Sequence, residues 1–240
     1  MFRHRRSHHW RHWPCRRIQI TMKELRASVL ISGNGSNLQA LIDARDRGRL
    51  DIDLVSVISN KANAKGLERA ARANIPSTIL DQREFLDRKE FDRALAVVTS
   101  AAKPDLVILA GFMRIIGPGM LDHFAGRIIN LHPSLLPMYR GTDTYQRALD
   151  AGDCEHGASI HFVTEELDGG PVISQVRVPV LANDDKDSLA ARLAPMEHRL
   201  LVSTIELFSR HDVECRDSSV LCDGNKLNNI FILQKDDTLS

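Results

Sequence analysis

The chain has 240 residues, 43% hydrophobic and 26% charged, which is enough for one sizeable core or two small ones. No stretch approaches the roughly 20 consecutive apolar residues of a membrane span, and the N-terminus lacks the apolar segment of a secretory signal. The composition therefore predicts a soluble cytoplasmic protein without a membrane partner.

The charge is distributed unevenly along the chain. Residues 1–21 contain six arginines and no acidic residue, so the formal net charge of +1 leaves −5 on the remainder. An acidic body argues against a nucleic-acid partner, because binding to phosphate backbones depends on clustered Lys and Arg. Residues 1–21 have no helical or strand periodicity and precede a second possible start at Met22. We interpret them as a disordered basic tail or an upstream extension, with nucleic-acid or metal binding as the alternative.

From Arg26 onward, short aliphatic runs alternate with helix-like stretches, which is typical of a parallel α/β sheet. The predicted strands are the runs ASVLIS, DLVSVIS, STIL, DLVILA and RIINLH. Helices are predicted to begin near Ser36, Lys65, Arg88, Pro118 and Thr142, with Pro118 in a first turn and Thr142 or Asp143 as a cap. This order predicts a doubly wound, mostly parallel sheet.

After Gly157, two strand-like runs flank the acidic loop EELDGG, which predicts an antiparallel hairpin added to the sheet. A long helix is predicted from about Asp187 to Arg210. We expect a single domain over residues 22–227 and a frayed C-terminal tail over residues 228–240. The four cysteines, Cys15, Cys154, Cys215 and Cys222, lack CxxC spacing, which indicates neither a zinc knuckle nor a disulfide framework.

The first candidate site is the loop in LISGNGSNLQAL, where a predicted strand ends and a helix begins. Gly33 and Gly35 allow a tight turn, so backbone amides and the Ser36 hydroxyl can surround an anion at the positive helix end. Leu38 replaces the third glycine of a dinucleotide fingerprint and the P-loop lysine is absent, which favours a monophosphate over NAD or ATP. A glycine turn without a ligand is the alternative.

The second candidate site is NLHPSLLP, which follows the apolar residues of a predicted strand. Asn130 and His132 lie two residues apart, so both project to one side at a strand end, where ligands of open α/β folds bind. A carboxamide can donate to an oxyanion, and an imidazole can donate or shuttle a proton. Asp168 is the third candidate, because a nearby carboxylate favours the imidazolium form of a histidine. Ordinary hydrogen-bonding roles for these three residues are the alternative.

The combination and order of five segments, LISGNGSNLQALIDA, SNKANAKGLERA, LAGFMRII, NLHPSLLPMYRG and GASIHFVTEELDGGPVISQ, closely resembles the phosphoribosylglycinamide formyltransferase family. The resemblance runs from about Ser28 to Leu227. It implies transfer of a formyl group from 10-formyltetrahydrofolate to the amine of 5-phosphoribosylglycinamide, in de novo purine synthesis, without a metal. It also implies small-molecule substrates only, and we expect a monomer or a homodimer.

The resemblance also implies roles for individual residues of this chain. The catalytic asparagine, histidine and aspartate of the family correspond to Asn130, His132 and Asp168. The implied nucleotide-binding residues are Gly35, Ser36, Asn37 and, on the ribose side, Glu197. The implied folate-binding residues are Arg88, Met113, Arg114, Ile115, Ile116 and Asn130. Three positions depart from the family pattern, because Met138 replaces a common lysine and Asp143 and Tyr145 replace usual histidines.

Three other functions compete with this interpretation. A related hydrolase deformylates 10-formyltetrahydrofolate with a similar Asn, His and Asp set, but it carries an N-terminal regulatory domain. A methionyl-tRNA formyltransferase carries a further C-terminal RNA-binding domain. A nonenzymatic nucleotide-binding module would keep the glycine loop but has no need of His132 together with Asp168.

Because residues 1–21 lie outside every motif and have no periodicity to bury, we predict that deleting them leaves folding and formyl transfer nearly intact. The measurements are thermal unfolding and the transfer rate of the shortened chain beside the full chain. A large loss of activity in the shortened chain would contradict this prediction.

Overall fold

The computed structural model describes residues 24–240, so the predicted tail over residues 1–21 lies outside the described residues. Five strands open the fold: β1 (Leu25–Ile31), β2 (Ile52–Ser59), β3 (Ser77–Ile79), β4 (Leu106–Leu109) and β5 (Ile128–His132). Six strands follow: β6 (Glu155–Phe162), β7 (Val172–Pro179), β8 (Val213–Arg216), β9 (Ser219–Cys222), β10 (Asn225–Lys226) and β11 (Phe231–Ile232). The helices are α1 (Ser36–Asp46), α2 (Lys65–Arg72), α3 (Arg88–Ala101), α4 (Pro118–His123), α5 (Thr144–Ala151) and α6 (Lys186–Arg210).

Eight strands form the main sheet in the order β11-β7-β6-β5-β4-β1-β2-β3. Strands β1 to β5 are mutually parallel, whereas β6 pairs antiparallel with both β5 and β7. The predicted mostly parallel sheet with an added antiparallel hairpin is therefore confirmed. A separate antiparallel sheet of β8, β9 and β10 follows α6.

Helices cover both faces of the main sheet, which explains why its central strands are continuous apolar runs rather than alternating ones. On one face, Val29 and Ile31 of β1 pack with Leu38 and Leu41 of α1 and with apolar residues of α6. On the other face, Leu30 of β1 packs with residues of α3 and α4. Successive side chains of β1 point to opposite faces of the sheet, so this strand contributes apolar residues to the cores on both faces. None of the helices in residues 24–240 is long and apolar enough to cross a membrane.

The cap predicted at α5 is wrong. The helix begins at Thr144, and Asp143 occupies the preceding position with φ 59° and no side-chain hydrogen bond to the helix. Its carboxylate instead accepts a hydrogen bond from Lys186 Nζ at 2.6 Å. The competing lysine lies 43 residues away in sequence, so the local pattern could not reveal it.

The C-terminal segment also differs from the prediction of a frayed tail. Strand β11 pairs in parallel with β7, and Leu233 is buried against the core of the α1 and α6 face. The Asp237 carboxylate accepts hydrogen bonds from Arg49 Nη1 at 2.9 Å and from Arg199 Nε. Two arginines on different parts of the chain thus bind one residue near the C-terminus.

Asp237→Ala should lower the free energy of unfolding by about 1 to 2 kcal/mol, because it removes a half-buried carboxylate that pairs with two arginines. Asp236→Ala is the matched control, since the Asp236 side chain bonds only the neighbouring Thr238 among the described residues. Denaturant unfolding of both variants measures the difference. Equal stability of the two variants would show that the Asp237 pairs contribute nothing.

Candidate active site

The candidate site lies where the strand order of the main sheet reverses direction. Strand β1 has β2 on one side and β4 on the other, so the connections leaving β1 and β4 diverge. Crevices at such switch points, beyond the carboxyl ends of the strands, are the usual ligand sites of open α/β sheets. Here that edge carries the glycine loop after β1, the FMRII segment after β4 and the Asn130–His132 pair on β5.

Ser32 joins the first two of these segments. Its backbone amide donates to the Gly111 carbonyl at 3.1 Å, and its hydroxyl accepts the Met113 amide at 2.7 Å. The same hydroxyl donates to Asn60 Oδ1 at 2.6 Å. The end of β1 therefore sets the position of the FMRII segment relative to the glycine loop.

The glycine loop is shaped by packing as well as by any ligand. Gly35 has φ +71°, and a Cβ built there would lie 2.6 Å from Gly66 Cα in α2. A side chain at position 35 would both strain the backbone and separate α1 from α2. Substitution of Gly35 therefore cannot test ligand binding alone.

Arg69 of α2 is a cation beside this loop that the sequence analysis missed. Its Nε donates to the Asn34 carbonyl at 2.9 Å, and its Nη1 donates to Gln39 Oε1 at 3.1 Å. In sequence Arg69 resembles any arginine on a solvated helix face, and only the packing of α2 against α1 brings it to the loop. Its charge reinforces the positive end of α1 at Ser36.

A cavity of about 490 Å³ begins at Ser36 and extends between α1 and α6. Arg47, Arg69 and Arg199 are among its lining residues, together with His198. Asn37 directly follows Ser36, and its Oδ1 atom is buried without a hydrogen-bond partner among the described residues. With four arginines against two aspartates, the lining carries a net positive charge, which is suited to an anionic ligand.

Asn130, His132 and Asp168 lie together, although the sequence could not show that Asp168 reaches the histidine. His132 Nε2 donates to the Tyr139 carbonyl at 3.0 Å, and its Nδ1 lies 3.4 Å from Asp168 Oδ2. Asp168 Oδ2 also accepts the Gly141 amide at 2.8 Å. The two side chains are only 7% and 9% exposed, respectively. Both ring nitrogens of His132 therefore face oxygen acceptors in a nearly dry environment.

His161 on β6 is a fourth member of this cluster, and the sequence analysis missed it. It stands opposite Asn130 in the β5–β6 register, and its Nδ1 donates to the Phe162 carbonyl at 2.9 Å. Its Nε2 must then accept, and Asn130 Nδ2 donates to it at 3.2 Å. Burial lowers the pKa of His161 to about 4, so the ring is neutral near pH 7. The strand pattern alone does not fix the register that pairs these residues.

The residues expected to bind folate form a partly apolar edge beside the cluster. Arg88 Nη2 donates to the Ile115 carbonyl at 3.3 Å, which brings the start of α3 to the FMRII segment. Met113 and Ile115 are 70% and 53% exposed, and Arg114 is half-buried. Ile116 differs from them, because its side chain packs into the core with α3 and α4. Its side chain is therefore withheld from this surface.

Glu197 lies on α6, and Tyr145 of α5 donates to its Oε1 at 3.3 Å. Burial raises the pKa of Glu197 to about 7, and the Tyr145 hydrogen bond opposes that rise. This carboxyl group can therefore change charge near neutral pH.

The described residues contain one group that could hold a metal ion, formed by His211, Cys222 and Asp223. It lies beyond α6, and His211 lines a cavity with Leu25 and Arg127, which flank the amino ends of β1 and β5. The candidate active site is at the opposite, carboxyl ends of these strands. The group therefore has no part in the cluster around His132.

Comparisons with known proteins agree with this geometry. Residues 25–205 match the formyl transferase family. The phosphoribosylglycinamide formyltransferase of Escherichia coli (strain K12) is 48% identical over 199 residues, which cover 83% of this chain and 94% of that protein. A solved phosphoribosylglycinamide formyltransferase structure from Coxiella burnetii is 43% identical with a TM-score of 0.81, over 85% of this chain and 96% of that one.

A solved formyltetrahydrofolate deformylase from Pseudomonas syringae pv. tomato is more distant in sequence. It is 26% identical with a TM-score of 0.77, over 83% of this chain and 66% of that one. The family match covers most of this chain, and the relative from Escherichia coli is matched along nearly its whole length. The chain therefore belongs to the formyl transferase family.

Proposed function

We propose that this protein transfers the formyl group of 10-formyltetrahydrofolate to the amine of 5-phosphoribosylglycinamide in de novo purine biosynthesis. The products are formylglycinamide ribonucleotide and tetrahydrofolate. The observation that carries the proposal is the Asn130, His132 and Asp168 cluster, which lies on the same sheet edge as the glycine loop. We include the cytoplasmic location and small-molecule partners in this proposal.

The reaction needs two kinds of group from the protein. As the amine nitrogen attacks the formyl carbon, negative charge develops on the formyl oxygen, and the amine must lose a proton while the folate nitrogen N10 gains one. Asn130 is assigned as a donor to the oxygen, since its amide keeps one N–H free after bonding His161. His132, whose Nδ1 faces the Asp168 carboxylate, is assigned as the second donor and proton relay.

His132 must exchange a partner before it can act on the formyl group. Its Nε2 proton is bonded to the Tyr139 carbonyl, and its Nδ1 faces Asp168. Asp168 is a carboxylate and Tyr139 offers a neutral backbone carbonyl, so the Tyr139 carbonyl is assigned as the partner to be displaced. Substrate entry is therefore expected to move the backbone around Tyr139.

The substrate ends are assigned from the surroundings of this cluster. The phosphate is assigned to the amides after Gly35 and the Ser36 hydroxyl, with Arg69 adding positive charge. The folate ring is assigned to the exposed edge at Met113 and Ile115, where apolar side chains already face solvent. Two substrates held on one edge supply much of the acceleration by positioning alone.

The test is a mixing assay with 10-formyltetrahydrofolate, run with and without 5-phosphoribosylglycinamide. Tetrahydrofolate that forms only with the nucleotide, together with formylated nucleotide, supports the transferase. If the same amount of tetrahydrofolate forms with and without the nucleotide, and free formate is released, the protein is a deformylase instead. Binding of nucleotide without turnover would identify a nonenzymatic module.

The cluster geometry predicts that His132 and Asp168 act as one unit. His132→Ala and Asp168→Asn should each reduce transfer by at least about 100-fold, and the double variant should be only slightly worse than either. The transfer rates of the two single variants and of the double variant measure this coupling.

Glu165→Gln is the matched control for that experiment, since it removes a carboxylate from an exposed position of the same loop. It should retain wild-type transfer. Multiplicative losses in the double variant would show that the two residues are not coupled.

A further inference from the structure

Tyr145 stands where the family usually has a histidine, and its contacts link both ends of the candidate site. Its phenol donates to Glu197 Oε1 at 3.3 Å, across the contact between α5 and α6. Its ring centroid lies 5.2 Å from that of His156 on β6. The tyrosine is half-buried, so these two contacts restrict its position.

The hydrogen bond matters because Glu197 is a carboxyl group in a poorly solvated position. Burial disfavours its charged form, and the phenol is the hydrogen-bond donor that opposes this effect. Burial and the Glu197 charge also raise the pKa of Tyr145, so the phenol keeps its proton at neutral pH. Tyr145 therefore donates whenever Glu197 is ionised.

Among the described residues, the charged groups around α6 make no hydrogen bond or ion pair with Glu197, whose side chain bonds Tyr145. On the α1 side of α6, Arg49 and Arg199 both bond Asp237. On α6 itself, His198 Nε2 has no hydrogen-bond partner among the described residues, and burial, together with the charge of Arg69 of α2, lowers the pKa of this histidine. These contacts leave Tyr145 as the polar group from α5 that faces the Glu197 carboxyl.

The other contact of Tyr145 leads toward the catalytic segment. His156 is buried, and an interaction with the backbone of Pro133, the residue directly after His132, opposes the lowering of its pKa by burial. Burial lowers the pKa of His156. The contact between the Tyr145 and His156 rings therefore joins two neutral rings near pH 7. The Tyr145 ring thus packs on a residue that supports the catalytic segment, while its hydroxyl holds Glu197.

We propose that Tyr145 is a positioning residue for the nucleotide, whose phenol orients the Glu197 carboxylate toward the ribose and stabilises its charged form. The inference rests on the proposed function and on the ribose-side role of Glu197 that the family resemblance implies. In this inference the Tyr145 hydroxyl contributes to nucleotide affinity, and the Tyr145 ring contributes to packing. Removing the hydroxyl alone should therefore weaken nucleotide binding and spare the chemistry.

The experiment compares Tyr145→Phe with the wild-type protein. The variant keeps the ring contact with His156, so KM for 5-phosphoribosylglycinamide should rise about three- to tenfold, as expected for one hydrogen bond, with kcat within about twofold. The folate KM should not change. Calorimetry with 5-phosphoribosylglycinamide alone gives the nucleotide Kd independently of turnover.

The pH dependence of the nucleotide Kd distinguishes this role from a purely structural one. If Tyr145 served only in packing, Tyr145→Phe would not shift the pH midpoint of the Kd. The carboxylate form of Glu197 accepts the ribose hydroxyl, so affinity falls as pH drops through the Glu197 pKa of about 7. Loss of the phenol raises that pKa, because its hydrogen bond favours the charged form. The midpoint should therefore move to higher pH in Tyr145→Phe.

Two further variants complete the design. Gln146→Ala removes an exposed side chain of the same helix that bonds Asp150, and it should leave both Kd and its pH midpoint unchanged. In a Glu197→Gln background, Tyr145→Phe should add less than about a twofold loss, because the tyrosine acts through Glu197.

The inference would be overturned if Tyr145→Phe had the same nucleotide Kd and the same pH midpoint as the wild-type protein. It would also be overturned if the variant weakened nucleotide binding and folate binding equally. Full additivity with Glu197→Gln would also overturn it. If the wild-type protein itself fails to bind 5-phosphoribosylglycinamide, the proposed function is wrong and the inference falls with it. The two failures are therefore distinguishable.

Discussion

The buried carboxylate of Asp168 is the group on which the arrangement of the Asn130, His132 and His161 cluster depends. It accepts the Gly141 amide, faces His132 Nδ1 and lies 3.7 Å from His161 Nε2. A carboxylate that is only 9% exposed is costly unless such partners compensate its charge. The loop after β6, the segment after β5 and β6 itself are therefore held in one mutual arrangement.

The loop that carries Asp168 is shaped to deliver it there. Asp168 has φ 48°, which is uncommon for a residue other than glycine, and the hydrogen bond to Gly141 offsets part of that cost. A Cβ at Gly170 would lie 1.9 Å from the Phe162 carbonyl, so only glycine allows the chain to return so close to β6. The sequence DGG is thus explained by backbone geometry as well as by chemistry.

Much of the fold could be predicted from the sequence, because the strand runs and the glycine loop are local patterns. The pairing of Asn130 with His132 could also be predicted from the sequence, because the period of a strand places both side chains on one side. The residues that the sequence missed, Arg69 and His161, are defined by helix packing and by antiparallel register. The prediction of a frayed tail over residues 228–240 is wrong for the same reason, because that segment is held by β7 and by arginines distant in sequence.

Two histidines near one carboxylate take different roles because their other contacts differ. His161 donates from Nδ1 to a carbonyl and accepts from Asn130 at Nε2, so a second proton would cost it the Asn130 bond. His132 faces an oxygen acceptor at each nitrogen, so it can bond either of them only as a donor. His161 instead accepts at Nε2 and thereby fixes the orientation of the Asn130 amide. Exchanging the two histidines' partners would remove both functions at once.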